Sequence, residues 1–171
     1  MHRKCSKTME YISYINTHFP NAQAQIKGVD EFKAISGTVS FYTMGKQVIV
    51  IVNVGGLPIS EDVCKQPVFA LHIHQGNSCS GNAQDSLADT KTHYNPNDCP
   101  HPYHAGDLPP IFSNGECGWL AFATGRFTVN EILGKTVVIH QMPDDFTTQP
   151  SGNSGKKIAC GVIKPLSFKI H

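Results

Sequence analysis

No apolar stretch in the 171 residues approaches the roughly 18–20 that a membrane span requires. No charge of one sign is in surplus either: charged residues make up 16% of the chain and the formal net charge is +1. That balance argues against a large basic surface for nucleic acid, while leaving room for the small positive patch that a small anion needs. The start, Met1-His2-Arg3-Lys4-Cys5-Ser6-Lys7, is basic, but Glu10, Tyr14, Asn16, Thr17 and His18 interrupt any apolar core behind it. The segment is unlike a secretory signal, so the expectation is a cytoplasmic or otherwise intracellular protein with no membrane partner. Internal repeats, coiled-coil heptads and low-complexity tracts are also missing. Hydrophobic content of 40% suffices for one compact domain whose core does not rely on metals or disulfides.

Histidine is what the chain concentrates. Five of its nine histidines lie between His72 and Asp107, as His72-Ile73-His74, His93-Tyr94-Asn95-Pro96 and His101-Pro102-Tyr103-His104-Ala105-Gly106-Asp107. Neutral imidazole suits copper and zinc, and a carboxylate oxygen is a normal additional zinc ligand. His72 and His74 follow Pro67-Val68-Phe69-Ala70-Leu71, which reads as a strand, and residues i and i+2 of a strand project from one face. His101, His104 and Asp107 sit instead in a loop rich in Pro and Gly. One set on a strand, one in a loop and His93 between them predict two metal sites. His140 ends the β-branched run Thr136–Ile139 and adds a sixth candidate. Cys99, close to His101, offers a rival Cys/His ligand set.

These residues carry a resemblance. The motifs FALHIHQGNSC (69–79), THYNP (92–96), HPYHAGDLPP (101–110), VVIHQMPDD (137–145) and GNSGKKIACGVI (152–163) resemble those of copper/zinc superoxide dismutases, most closely the bacterial-type members. Weaker agreement reaches back to about Ala22. The resemblance implies copper and zinc as cofactors, with His72, His74, His93 and His140 as copper ligands. It implies His93, His101, His104 and Asp107 as zinc ligands, so that His93 bridges the ions. It gives Asp144 the task of holding one histidine of each site, and leaves Asp145 at the surface. It pairs Cys79 with Cys160, whereas Cys5, Cys64, Cys99 and Cys117 are expected as thiols. The implied activity converts two superoxide anions to dioxygen and hydrogen peroxide as copper cycles between Cu(II) and Cu(I), with His93 taking up a proton on its copper side. A homodimer is implied and a copper-delivery protein is admitted. The chain departs from the family at one place, where Lys157 stands three residues before Cys160 in place of the usual arginine. Lysine keeps the charge that guides the anion but loses the planar fork. The alternative is a non-catalytic metal-handling relative that keeps the fold; such relatives are expected to lack copper ligands, and none is missing here.

The strand signals predict an all-β protein. Residues 1–21 show no periodicity and read as a flexible or loosely docked extension to a domain spanning 22–171. Strands are expected at 24–27, 37–42, 48–54, 67–74, 119–124, 127–129, 137–140, 158–163 and 166–170. A hairpin turn is expected at 44–46 and a helical turn at 131–133. The Val48–Val54 run, apolar on both faces, predicts a central strand. Gly- and Pro-rich turns between short strands indicate a sandwich or barrel. The resemblance narrows this to an immunoglobulin-like Greek-key β-sandwich, a flattened eight-stranded barrel with long metal-binding loops. The 75–103 stretch is too long to stand structureless, and zinc ligands with a disulfide supply its expected ordering.

Overall fold

The computed structural model describes residues 8–166. Its sheet is organised by the most β-prone run of the sequence. Strand β3 (Gln47–Gly55) lies between β2 (Ser36–Met44) and β7 (Cys117–Thr124), with Val39 opposite Val52 and Phe41 opposite Val50. The turn at Gly45-Lys46 joins β2 to β3, and Gly45 takes the left-handed conformation that such a tight turn needs. β1 (Ala22–Gly28) pairs with β2 and with β9 (Lys157–Pro165). β1 alternates as a half-buried strand should: Ala22, Ala24 and Ile26 face the core, and Gln25 faces solvent.

The remaining strands close the sheet. β4 (Val68–Phe69) pairs with β6 (Ile111–Asn114), while β5 (Leu71–His74) pairs with β8 (Thr136–His140). The order β4-β6-β7-β3-β2-β1-β9-β8-β5 therefore has consecutive chain segments at its two ends. Only Ala70 separates them, its N–H donating to Met142 O and its carbonyl accepting from His140 N. Nine hydrogen-bonded segments thus amount to the expected eight-stranded flattened barrel, with one strand bent at Ala70. Its interior is filled by Ile26, Phe41, Val50, Leu71, Ile73 and Ile139, among others, all buried.

Three local readings change. Thr8–Thr17 forms a helix, α1, which docks through Tyr11 Oη to Gln47 Oε1 and Tyr14 Oη to Thr43 O, both 2.8 Å. Its β-branched and aromatic residues are indifferent helix formers, and those contacts to the β2–β3 hairpin are invisible in local sequence. Phe127-Thr128-Val129 is not a strand. Thr128 and Glu131 form a capping box that starts helix α2 (Val129–Ile132), where a helical turn was expected slightly later. Of the expected last strand, Leu166 lies outside any strand and 167–170 fall outside the described residues.

Cys79 is bonded to Cys160, tying the long loop after β5 to the middle of β9 across 81 residues of sequence. Cys64, Cys99 and Cys117 are free thiols, and Cys5 lies outside the described residues. The loop gains further order from Gly76 N–H to Thr90 O, Gln75 N–H to Thr92 O and Asp89 N–H to Ser80 O, at 2.7–2.9 Å. Closing so long a loop restricts the unfolded chain, so reducing Cys79–Cys160 is expected to lower the unfolding free energy by about 2–4 kcal/mol. Guanidinium titrations of oxidised and reduced protein, both treated with chelator, check this, and coincident curves would refute it.

Candidate metal centre

The barrel surface next to β5 and β8 carries the histidines. Leu71 and Ile73 point into the core, which sends His72 and His74 to the opposite face of β5, as their i, i+2 spacing requires. His140 ends the neighbouring β8, where the β8–β9 register shifts between Ile139 and His140. Bridges from His74 to His93 and from His72 to Asp107 dock the long loop against β5. The result is two clusters sharing one residue. His72, His74, His93 and His140 form one, and His93, His101, His104 and Asp107 the other; within each, the donor atoms lie within 4.8 Å of one another and every member is buried. Every ligand position read from the sequence is brought into one of them. Cys99 is in neither: its thiol sits near Asn97 O at 3.8 Å.

Hydrogen bonds to the far nitrogens decide which atoms are free. Asp144 Oδ2 lies 2.8 Å from His72 Nε2, and Asp144 Oδ1 lies 2.8 Å from His101 Nε2. A carboxylate can only accept, so both Nε2 atoms carry a proton, and in the neutral ring each Nδ1 keeps its lone pair. His74 Nδ1 donates to Lys91 O at 2.8 Å, and His140 Nδ1 lies 3.2 Å from Ser154 Oγ and 3.4 Å from Gly155 O; with the carbonyls as acceptors, Nε2 is free in each. Those two free nitrogens face each other at 3.2 Å. In the second cluster, His93 Nδ1, His101 Nδ1 and His104 Nδ1 stand 2.8, 3.1 and 3.2 Å from the Asp107 carboxylate. A tetrahedral ion with bonds of about 2.0–2.1 Å separates its ligand atoms by roughly 3.3 Å. The spacing fits.

Among the described residues, the buried side-chain nitrogens without a hydrogen-bond partner are His72 Nδ1, His93 Nε2 and His101 Nδ1. Buried polar atoms are nearly always satisfied, and these three point where a cation would complete them. Burial, reinforced by the neighbouring imidazoles, pushes His74 well below its usual pKa and His140 down to about 3. Burial also lowers His72, against the pull of Asp144. For Asp144 burial acts upward, yet hydrogen bonds from His72, Phe146 N–H and His101 outweigh it and hold the carboxyl at about 2. The same contest leaves Asp107 below its ordinary value, through its bond to His93. Burial thus favours the neutral, ligating form of His72, His74 and His140, and ionised carboxylates stand behind or among the rings.

Two features were not legible in advance. Gly152 is left-handed, and a Cβ there would strike the Asp144 carboxylate and come within 2.7 Å of His101 Nε2. Only glycine admits that bridge. Arg126 donates to three carbonyls of the 102–107 segment from the opposite side. Lys157 lies at the mouth of the cleft lined by His74, His93, Lys91 and Ser151, but its ammonium is bound to Asp85 Oδ2 at 2.6 Å and Leu87 O at 3.0 Å. Lys156 is likewise paired, with Glu31 and Asp30 at 3.1–3.3 Å. Asp145 is exposed and caps the turn at Thr147 and Thr148.

Comparison with known proteins agrees with this geometry. The family described as copper/zinc superoxide dismutase (SODC) matches residues 35–163. Superoxide dismutase [Cu-Zn] 2 of Aquifex aeolicus is 29% identical over 145 residues, covering 76% of this chain and 80% of its own length. Superoxide dismutase [Cu-Zn] of Deinococcus radiodurans is 31% identical over 168 residues, covering 86% of each. The Caulobacter vibrioides protein of the same name is 34% identical over 111 residues, with 56% of this chain and 63% of its own length covered. A match that runs from the second strand of the barrel into the last makes this chain a member of the copper/zinc superoxide dismutase family.

Proposed function

We propose that the strand-borne cluster is where this enzyme converts superoxide to dioxygen and hydrogen peroxide. In this reading His72, His74, His93 and His140 hold copper, and His93, His101, His104 and Asp107 hold zinc. The observation that carries it is the set of orphaned buried nitrogens on His72, His93 and His101, which no hydrogen bond in the fold satisfies. When bound, copper supplies the one-electron cycling, and zinc supplies fixed positive charge without redox change. The rest is done by the chain. Asp144 fixes the tautomers of His72 and His101, so each presents Nδ1 rather than Nε2. Lys91 O and Gly155 O do the same for His74 and His140, which present Nε2. His93 faces the first cluster with Nε2 and the second with Nδ1, so it can hold a proton at Nε2 while its other nitrogen stays engaged.

Residues 22–171 are taken as the enzymatic domain and 1–21 as an appendage to it. Homodimerisation and a separate copper-delivery protein rest on the family resemblance. The exposed Phe112 and Trp119, on neighbouring strands β6 and β7, support the first. Sedimentation of the purified chain tests it, and a monomer at micromolar concentration would refute it. None of the described helices is long and apolar enough to cross a membrane.

The two-site assignment is tested by single replacements. His140→Ala is expected to abolish superoxide turnover while leaving zinc bound, because His140 belongs to one cluster only. Asp107→Ala is expected to lose zinc and loosen the 75–107 loop. Metal content by mass spectrometry alongside superoxide decay reads both, and identical behaviour of the two variants would overturn the assignment.

The depressed histidines set a pH dependence. Their folded pKa values lie below the unfolded value of about 6.5, so the unfolded chain binds more protons as the solution is acidified. Their contribution to stability is complete above about pH 6.5 and is lost as pH falls toward 3; Asp144 adds a further loss below about 3.8. Denaturation of demetallated protein from pH 7 to 4 is expected to show steadily falling stability. A flat profile would contradict it.

The Lys157–Asp85 pair changes what the lysine can be expected to do. With its charge matched by Asp85, Lys157 attracts superoxide only weakly. Asp85→Asn is expected to raise the bimolecular rate at low salt and steepen its decline with ionic strength, at unchanged copper content. Equal rates and salt profiles for variant and parent would show that the pair does not govern approach.

A further inference from the structure

Arg126 lies between β7 and α2, outside both histidine clusters. Its Nη1 is 3.2 Å from Pro102 O, 3.2 Å from His104 O and 3.1 Å from Asp107 O. Two of these carbonyls belong to residues of the loop-borne cluster, and Pro102 follows a third, His101. All three acceptors are main chain, in a segment whose backbone belongs to no strand of the sheet. A charged donor to a carbonyl is among the stronger hydrogen bonds. Elsewhere the segment is held to β5 by Ile73 N–H to Gly106 O and Leu108 N–H to Leu71 O, to the loop by Gly106 N–H to Tyr94 O, and internally by Asp107 Oδ2, which accepts from His104 N–H. The Gln149 side chain bonds both main-chain groups of His101, and Arg126 is the side chain that joins residues 102, 104 and 107.

We propose that Arg126 is a positioning residue for the loop-borne metal cluster: one guanidinium nitrogen gathers the carbonyls of residues 102, 104 and 107, so that His101, His104 and Asp107 present their donor atoms together. This rests on the assignment of zinc to that cluster. Because the contacts converge on Nη1, whose two N–H groups serve three carbonyls with at least one bond shared, the clamp needs a point donor and not the planar fork. A lysine ammonium, with three N–H donors, can serve it, whereas a methionine of similar length cannot.

The test is zinc release from the metal-loaded full-length protein to a chromophoric chelator, for Arg126→Met and Arg126→Lys, with copper retention and thermal midpoint measured in parallel. Loss of groups that orient metal ligands typically weakens metal binding by about 10–100-fold. Arg126→Met is expected to release zinc faster by that factor with copper retained, and Arg126→Lys to stay close to the parent. If Arg126→Met does not fold, Arg126→Gln is read the same way, with an intermediate rate expected. Parental zinc release in the Met or Gln variant overturns the proposal. So does a loss of zinc and copper together with a matching fall in thermal midpoint, which is what a merely structural arginine would give. Lysine and methionine variants that release zinc equally fast also overturn it. A parent protein that binds no zinc at all would refute the site assignment itself, and the clamp with it.

Discussion

One carboxylate holds the two clusters in relation to each other. Asp144 is buried, and each of its oxygens accepts a hydrogen bond from an imidazole of a different cluster. Burying a carboxylate is unfavourable unless its oxygens are satisfied. Here they receive N–H groups from His72, His101 and the Phe146 backbone, enough to keep the group ionised. The same bonds decide the chemistry in front of the rings. Were Asp144 absent, each imidazole would be free to turn or to move its proton to the nitrogen now facing inward. The bridge in turn depends on Gly152, whose missing Cβ leaves the space that the carboxylate occupies.

The clusters differ in what they are built on. His72, His74 and His140 stand on paired strands whose register is fixed by Leu71, Ile73, Val137 and Ile139 packed in the core. Moving one of them means moving the barrel. His101, His104 and Asp107 stand on irregular backbone, ordered by scattered contacts: the Cys79–Cys160 bond, the Gly106–Tyr94–Ile73 hydrogen bonds and the Arg126 clamp. Local opening free energies follow such differences, so the loop-borne side is the more readily opened of the two. His93 couples them, because it belongs to both.

Much of this could be read from residue order, for identifiable reasons. Period-two alternation marks strands wherever one face is buried, which is why β1 and β2 stood out, whereas β8, buried along its whole length, was marked by its β-branched run. The i, i+2 histidines are the same rule applied to the outer face of β5. What failed to show depends on contacts remote in sequence. Helix α1 exists through tyrosine hydroxyls that reach the β2–β3 hairpin. The start of helix α2 was masked because Phe127-Thr128-Val129 has strand-like composition, although the Thr128/Glu131 spacing was a readable cap. Arg126 looked like any surface arginine, since its acceptors are main-chain carbonyls some twenty residues earlier, and carbonyls carry no sequence signature. The pairing of Lys157 with Asp85 joins residues 72 apart.

That last pairing bears on how a protein with so little net charge meets an anion. A net charge of +1 produces no useful long-range field, and at physiological salt the Debye length is only about 8 Å. Attraction must therefore arise within a few side-chain lengths of the cleft, where pairing matters more than the count of lysines. Lys156 and Lys157 are both matched by carboxylates, from Glu31 and Asp30 and from Asp85. Lys91 also lines the cleft, on a residue whose carbonyl anchors His74, and its side chain is exposed. The local field is thus the small difference between near neighbours of opposite sign. A substitution that removes one acidic partner alters it as much as one that adds a cation, so sequence counts of basic residues are a poor guide to approach in this protein.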